Sequence, residues 1–204
     1  MTEPAVASSD ATNIQCSMTR DGDEYVINGR KWWSSGMGDP RFSVIILMGK
    51  SDPSAPAYRQ PSMVVVPRDT KGIKIVKLLH VFGYDDAPNG HAEVVYDHVR
   101  VPLANTLGKV GEGHQAAQDR LGAGRIYHCM NAVGQMWRAF DLMVERASTR
   151  QVHGGLLKDK QFTQGFIADS YIDIQAARLM TIHAAEKIDR DDVDARTDIS
   201  AIKV

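Results

Sequence analysis

Two hydrophobic rhythms divide the chain. In the first half, short β-branched and aromatic runs alternate with turn residues; in the second, apolar side chains recur every three or four positions. The first rhythm predicts strands. Tyr25-Val26-Ile27, Asn28-Gly29 and Lys31-Trp32-Trp33 read as a hairpin closed by the dipeptide that type I′ turns favour. Phe42 to Met48, Met63 to Val66, Ile73 to Leu79 and Ala92 to Tyr96 predict further strands, parted by Asp52-Pro53, Pro61, Thr70-Lys71-Gly72 and Pro88-Asn89-Gly90. This spacing predicts a small barrel or sandwich.

The rhythm changes after Val101-Pro102, through the glycine-rich stretch from Gly108 to Gly113, which predicts a domain boundary near residue 105. Residues 1–105 then form a β domain and 106–204 a helical one, an α+β chain. Ile126, Met130, Val133, Trp137, Phe140 and Val144 make an apolar stripe on the first helix. Ile167, Tyr171, Ile174, Ala177, Thr181, Ala184 and Ile188 make one on a second, roughly from Lys160 to Ile188; a third starts near Ala195 after the acidic break Asp189 to Asp194. Gly111-Glu112-Gly113 and Gly122-Ala123-Gly124 are both expected at helix entries. Two long helices and a stub cannot enclose their apolar faces, since a stable bundle takes about four. Either a partner chain or a longer polypeptide is expected to supply the rest, and the start at Met1-Thr2-Glu3-Pro4, with no leading element, favours the second.

Composition narrows the function classes. An apolar share of 43% over 204 residues can build a core, while a formal charge of -1 offers no basic field for nucleic acid. The longest apolar runs, Val44 to Met48 and Met63 to Val66, are too short to cross a bilayer. Cys16 and Cys129 stand far apart outside any CxxC pattern, so neither a disulfide framework nor a zinc knuckle is encoded and a reducing compartment fits best. His80, His91 and His98 lack metal-ligand spacing and read as surface or capping histidines. Gly111-Glu112-Gly113 and Gly122-Ala123-Gly124 complete no nucleotide loop, and no GxSxG elbow is present, which disfavours a hydrolase.

One run carries candidate chemistry: Lys31-Trp32-Trp33-Ser34-Ser35-Gly36. Adjacent indoles followed by hydroxyls set flat apolar platforms beside small hydrogen-bonding groups, which is what a bound isoalloxazine needs. The same spacing also describes a hairpin strand with one Trp in the core and two serines at a frayed end. Arg125 interrupts the apolar stripe of the first helix, and Arg150 and Gln161 bracket the turn between the long helices. Taken singly, these three read as a snorkelling arginine and two solvated side chains.

Taken together, Met1-Thr2-Glu3-Pro4 with Ala5 to Asp10, Ile27-Asn28-Gly29-Arg30-Lys31-Trp32-Trp33-Ser34-Ser35-Gly36, Gly124-Arg125-Ile126 and the stretch from Arg150 to Gln161 resemble the acyl-CoA dehydrogenase family in order and spacing. Ala7-Ser8-Ser9-Asp10-Ala11-Thr12-Asn13 and Val81-Phe82-Gly83-Tyr84 look closest to the branch of family members 10 and 11. The resemblance implies a middle β-barrel domain followed by the first helices of a carboxy-terminal bundle, with the amino-terminal helical domain and the last helices absent. It implies FAD as cofactor and oxidation of a fatty acyl-CoA to its trans-2-enoyl form, by removal of the α-proton and hydride transfer from the β-carbon.

The site residues it implies are Thr2, Ser8, Ser9, Trp33, Ser34 and Ser35 around the flavin, with Trp33 covering the ring and Ser35 at its N5 edge. Ser8 also lies by the substrate, and Arg125 matches the arginine beside the CoA moiety. Arg150 and Gln161 match groups that reach the flavin of a neighbouring subunit, so a homodimer or homotetramer is implied. Electron-transfer flavoprotein is the implied acceptor. The setting implied is mitochondrial or peroxisomal in a eukaryote and cytoplasmic in a bacterium. No catalytic base is assigned: most members carry it late in the bundle, beyond Val204, and some just before the position of Arg125, where this chain has Gly124. Asp119 is the nearest carboxylate but faces elsewhere on the helix. Val152-His153 departs from the aromatic residue many relatives have there. The alternatives are a flavin oxidase on the same scaffold and a non-catalytic fragment that binds acyl-CoA or FAD.

Overall fold

Alternating burial along the first half produces one six-stranded sheet in the computed structural model, which describes residues 1–204. Its strands are β1 (Ser17–Asp21), β2 (Glu24–Ser35), β3 (Val44–Lys50), β4 (Pro61–Pro67), β5 (Ile73–Leu78) and β6 (His91–Pro102). They lie in the order β4-β3-β1-β2-β6-β5. All pairs are antiparallel except β1 with β3, which meet in parallel at Ser17 and Lys50. Met18, Ile27, Val64, Val66, Val94 and Val99 are completely buried, each worth about 1.5–3 kcal/mol of apolar burial. Glu93, between Ala92 and Val94 on β6, is buried outside this apolar cluster, where Arg30 of β2 and Lys77 of β5 neutralise it.

Asn28-Gly29 is not a hairpin turn. β2 runs straight through it and stays paired with β6 from Glu24 opposite Pro102 to Ser35 opposite His91. The real hairpin lies earlier, where β1, a strand that hydropathy alone missed, turns through Gly22 (φ +63) and Asp23 into β2. Gly22-Asp23, with glycine at the first loop position as a type II′ turn requires, is the local signal for it. Asn28 and Gly29 serve the sheet instead. Ile27 pairs with Val99 and Gly29 with Tyr96, so β6 carries one residue more than β2 across that span. Asn28 Oδ1 accepts the His98 N–H that this bulge removes from the ladder, at 2.8 Å. A Cβ on Gly29 would stand 2.8 Å from Cys16, the residue just before β1, a distance no side chain tolerates.

The chain divides into two units, Met1–Gln118 and Asp119–Val204, and the division falls inside α1 (Gly113–Thr149). α1 enters from the first unit, where the Gly111 N–H donates to Ser62 Oγ at 2.8 Å and a Cβ on Gly113 would stand 2.7 Å from the backbone of Ser62. These glycines mark the entry; Gly122 and Gly124 sit well inside the helix, contrary to expectation, because contact with β4 had already set the start.

In the second unit, α1 continues to a small ribbon of β7 (Gln151–Val152) and β8 (Gly155–Leu156), followed by α2 (Gln161–Asp189) and α3 (Ala195–Ala201). Trp137 meets Phe140 and Tyr171 edge-on at 5.6 and 5.7 Å, and Lys187 ties α2 to α3 through Asp198 at 2.6 Å. Val133, Ile174, Thr181 and Ala184 are buried. Phe162, Phe166, Ile172 and Leu179 on α2 remain exposed, Phe162 by 85%.

Candidate cofactor-binding site

A second irregularity in β2 creates the candidate site. Lys31 pairs with Val94 and Ser34 with Ala92, so β2 carries the extra residue here, at Trp32-Trp33. Trp33 takes a left-handed backbone, φ +53, which costs a bulky side chain about 1–2 kcal/mol. The bulge breaks strict alternation and separates the indoles. Trp33 stays 38% exposed and lines a cavity of about 400 Å³ together with Ser34, Ser35, Lys31, Phe42 and Tyr96. Trp32 is half-buried, its Nε1 enclosed without a hydrogen-bond partner, and it lies outside the main apolar core. An apolar platform beside two hydroxyls can hold a flat ring with a polar edge.

The amino-terminal segment is laid against the same stretch of β2. Trp32 donates its N–H to the Thr2 carbonyl at 3.1 Å, which fixes Thr2 beside the bulge. Glu3 and Lys31, each 3% exposed, form an ion pair of 2.6 Å. Glu3 also accepts the Gln15 N–H at 2.7 Å and the Cys16 N–H at 3.0 Å. Burial pushes the Glu3 carboxyl upward, but the bonds from Lys31 and the two amides outweigh it and hold the group below its ordinary range. Burial pushes the neighbouring Cys16 thiol up to about 11, so it stays protonated and unreactive. Ser8 Oγ accepts the Glu3 N–H at 3.0 Å and donates to the Glu3 carbonyl at 3.3 Å, closing the turn. Thr2 and Ser8 stand in motifs legible in the sequence, whereas the contact of Glu3 with Lys31, between residues 28 apart, leaves no local pattern.

His91 is a further omission. Rather than capping or facing water, it is half-buried opposite Ser35, its Nδ1 is 3.0 Å from Ser35 Oγ, and its Nε2 is 3.5 Å from Asp86 Oδ2. Its ring centroid lies 6.0 Å from that of Trp33.

The remaining expected residues are Ser9 in the first unit and Arg125, Arg150 and Gln161 in the second. Ser9 is exposed. In the second unit Arg125 is half-buried on α1 and Gly124 precedes it, with Asp119 a turn and more earlier. Arg150 follows α1, exposed, its carbonyl accepting the Leu157 N–H at 2.8 Å; Gln161 opens α2, exposed beside Phe162, Gly165, Phe166 and Asp169.

Comparison with known proteins gives the chain its relatives. Residues 1–99 match the model of the acyl-CoA dehydrogenase middle domain and residues 111–204 that of the acyl-CoA dehydrogenase C-terminal domain. Acyl-CoA dehydrogenase family member 11 of Gallus gallus is 47% identical over the whole of this chain, which spans 27% of that protein. A protein of Mycobacterium tuberculosis described as a probable acyl-CoA dehydrogenase is 52% identical over 93% of this chain, which spans 46% of it. A solved Mycobacterium abscessus structure assigned as an acyl-CoA dehydrogenase superposes over the full chain with a TM-score of 0.89 at 43% identity, and the match spans 50% of that chain.

Proposed function

Because this chain belongs to the acyl-CoA dehydrogenase family, we propose that it forms part of an FAD-dependent enzyme that oxidises a fatty acyl-CoA to the trans-2-enoyl-CoA. The observation that carries the reading is the bulge that turns Trp33, against its backbone preference, toward the cavity lined by Ser34 and Ser35. These residues fit a flavin: the exposed indole supplies a face, the hydroxyls supply edge partners, and the volume lies within the range of small-molecule sites.

In this reading Trp33 covers the ring, Ser34 and Ser35 meet its polar edge, and Thr2, Ser8 and Ser9 bound the site from the amino-terminal segment. When bound, FAD supplies an acceptor for the hydride that leaves the substrate β-carbon. Arg125 holds the CoA moiety by charge. Arg150 and Gln161 reach the flavin of a second copy, and the exposed Phe162 and Phe166 beside Gln161 support an assembly of two or four chains. Electron-transfer flavoprotein is the proposed acceptor. The base for the α-proton is assigned to no carboxylate of this chain.

Titration of FAD against the chain, followed by flavin absorbance and fluorescence, tests the cradle. Trp33→Ala is expected to weaken binding on the order of tenfold through loss of the stacking surface. Trp32→Phe is expected to bind nearly as the parent does, since it keeps an aromatic ring at a position outside the cavity lining and the indole N–H it loses has no partner. An unperturbed flavin spectrum at high protein concentration would remove the assignment, and loss of affinity only in Trp32→Phe would show that the wrong indole had been chosen.

A further inference from the structure

We propose that His91, steadied by Asp86, is a positioning residue that decides where the Ser35 hydroxyl sends its proton. The proposal rests on the flavin reading for the identity of the ligand and on geometry for the rest. Ser35 Oγ and His91 Nδ1 are 3.0 Å apart, and His91 Nε2 faces Asp86 Oδ2 at 3.5 Å. A neutral imidazole carries one N–H, whereas an imidazolium carries two and accepts nothing.

Beside a carboxylate the neutral ring keeps its hydrogen on Nε2, because the other tautomer would set a lone pair against Asp86. Nδ1 then accepts, and the Ser35 hydroxyl spends its hydrogen on the histidine. Once the ring is protonated, Nδ1–H donates to Ser35 Oγ instead. The hydroxyl hydrogen is released and can be donated into the cavity that Ser35 and Trp33 line. Ser35 is therefore a donor toward a bound ligand only when His91 is charged.

The other groups near the ring have their own partners. Glu93, further along β6, is held by Arg30 and Lys77, and Asp85 in the loop before β6 accepts the Ala87 N–H at 3.2 Å. Trp33 presents an aromatic ring, which leaves Asp86 as the carboxylate within reach of Nε2.

Two measurements test this in the 204-residue chain. The first needs no cofactor. In nitrogen-15 spectra of the histidine ring, with His91→Gln identifying the signals, Ser35→Ala should move the Nδ1 resonance and Asp86→Asn the Nε2 resonance. Ring signals unchanged in both variants would overturn the relay. The second is FAD affinity at about pH 5.5 and about pH 8, with the ring nitrogen-15 shifts at each pH reporting which protonation form is present. The parent should bind about fivefold more tightly at the lower pH, the worth of one neutral hydrogen bond, and the difference should vanish in both His91→Gln and Ser35→Ala. A pH effect that persists in Ser35→Ala would mean that the imidazolium acts through its field rather than through the hydroxyl, and would overturn the proposal. Ring signals that respond as expected in a protein that binds no FAD at either pH would support the relay and overturn the flavin reading alone.

Discussion

Oxidation of acyl-CoA by the 204-residue chain is expected to stay at background when bleaching of added FAD is followed anaerobically with a series of saturated acyl-CoAs. Removal of the α-proton needs a carboxylate within reach, and a missing general base commonly costs a factor of about 10² to 10⁴. In the proposed reading Gly124 takes the position that would carry that base, and Asp119, six residues before Arg125, projects from another face of α1. A side chain is sterically allowed at Gly124, since an added Cβ would meet nothing within 4 Å and the position is helical. Gly124→Glu should therefore fold at least as well as the parent, gaining roughly 0.5–1 kcal/mol of helix propensity, and should raise bleaching above background. Bleaching by the parent chain that disappears in Asp119→Asn would show that the base had been within this sequence all along.

Loss of the Glu3–Lys31 pair is the largest stability effect expected. Glu3→Ala leaves Lys31 buried without its counter-ion and frees the Gln15 and Cys16 amides, a loss of about 3–5 kcal/mol by analogy with other broken buried pairs. The double variant Glu3→Gln with Lys31→Met, which buries no charge but whose single amide oxygen can accept only one of the two N–H groups, should recover part of that in urea unfolding. If each single variant unfolds at the parent's midpoint, the pair does not hold the segment. Acid should act in the same direction as Glu3→Ala. The folded carboxyl is held below its ordinary value of 4.5, so its contribution is complete above that pH and drains away as pH falls through the lower folded value. Because the pair lies beside the Thr2–Trp32 contact, Glu3→Ala should also weaken FAD binding in protein that remains folded.

Much of this molecule was determined by the sequence alone. Helical periodicity placed α1, α2 and α3, since an apolar stripe repeating every three to four residues is read along a single element. The paired indoles and serines pointed to the candidate site because they are contiguous, and the acyl-CoA dehydrogenase motifs were legible for the same reason. Asn28-Gly29 shows where local reading stops. Its type I′ preference is a property of the dipeptide, but pairing with β6 along the whole of β2 and the close approach to Cys16 outweighed it. Only the tertiary structure could reveal that Trp33 is displayed by a bulge, for the extra residue is defined against β6 rather than within β2. Glu3 met Lys31, and Ser35 met His91, across 28 and 56 residues. Such pairings are set by sheet register, which fixes partners between strands and leaves no trace in the spacing of either one.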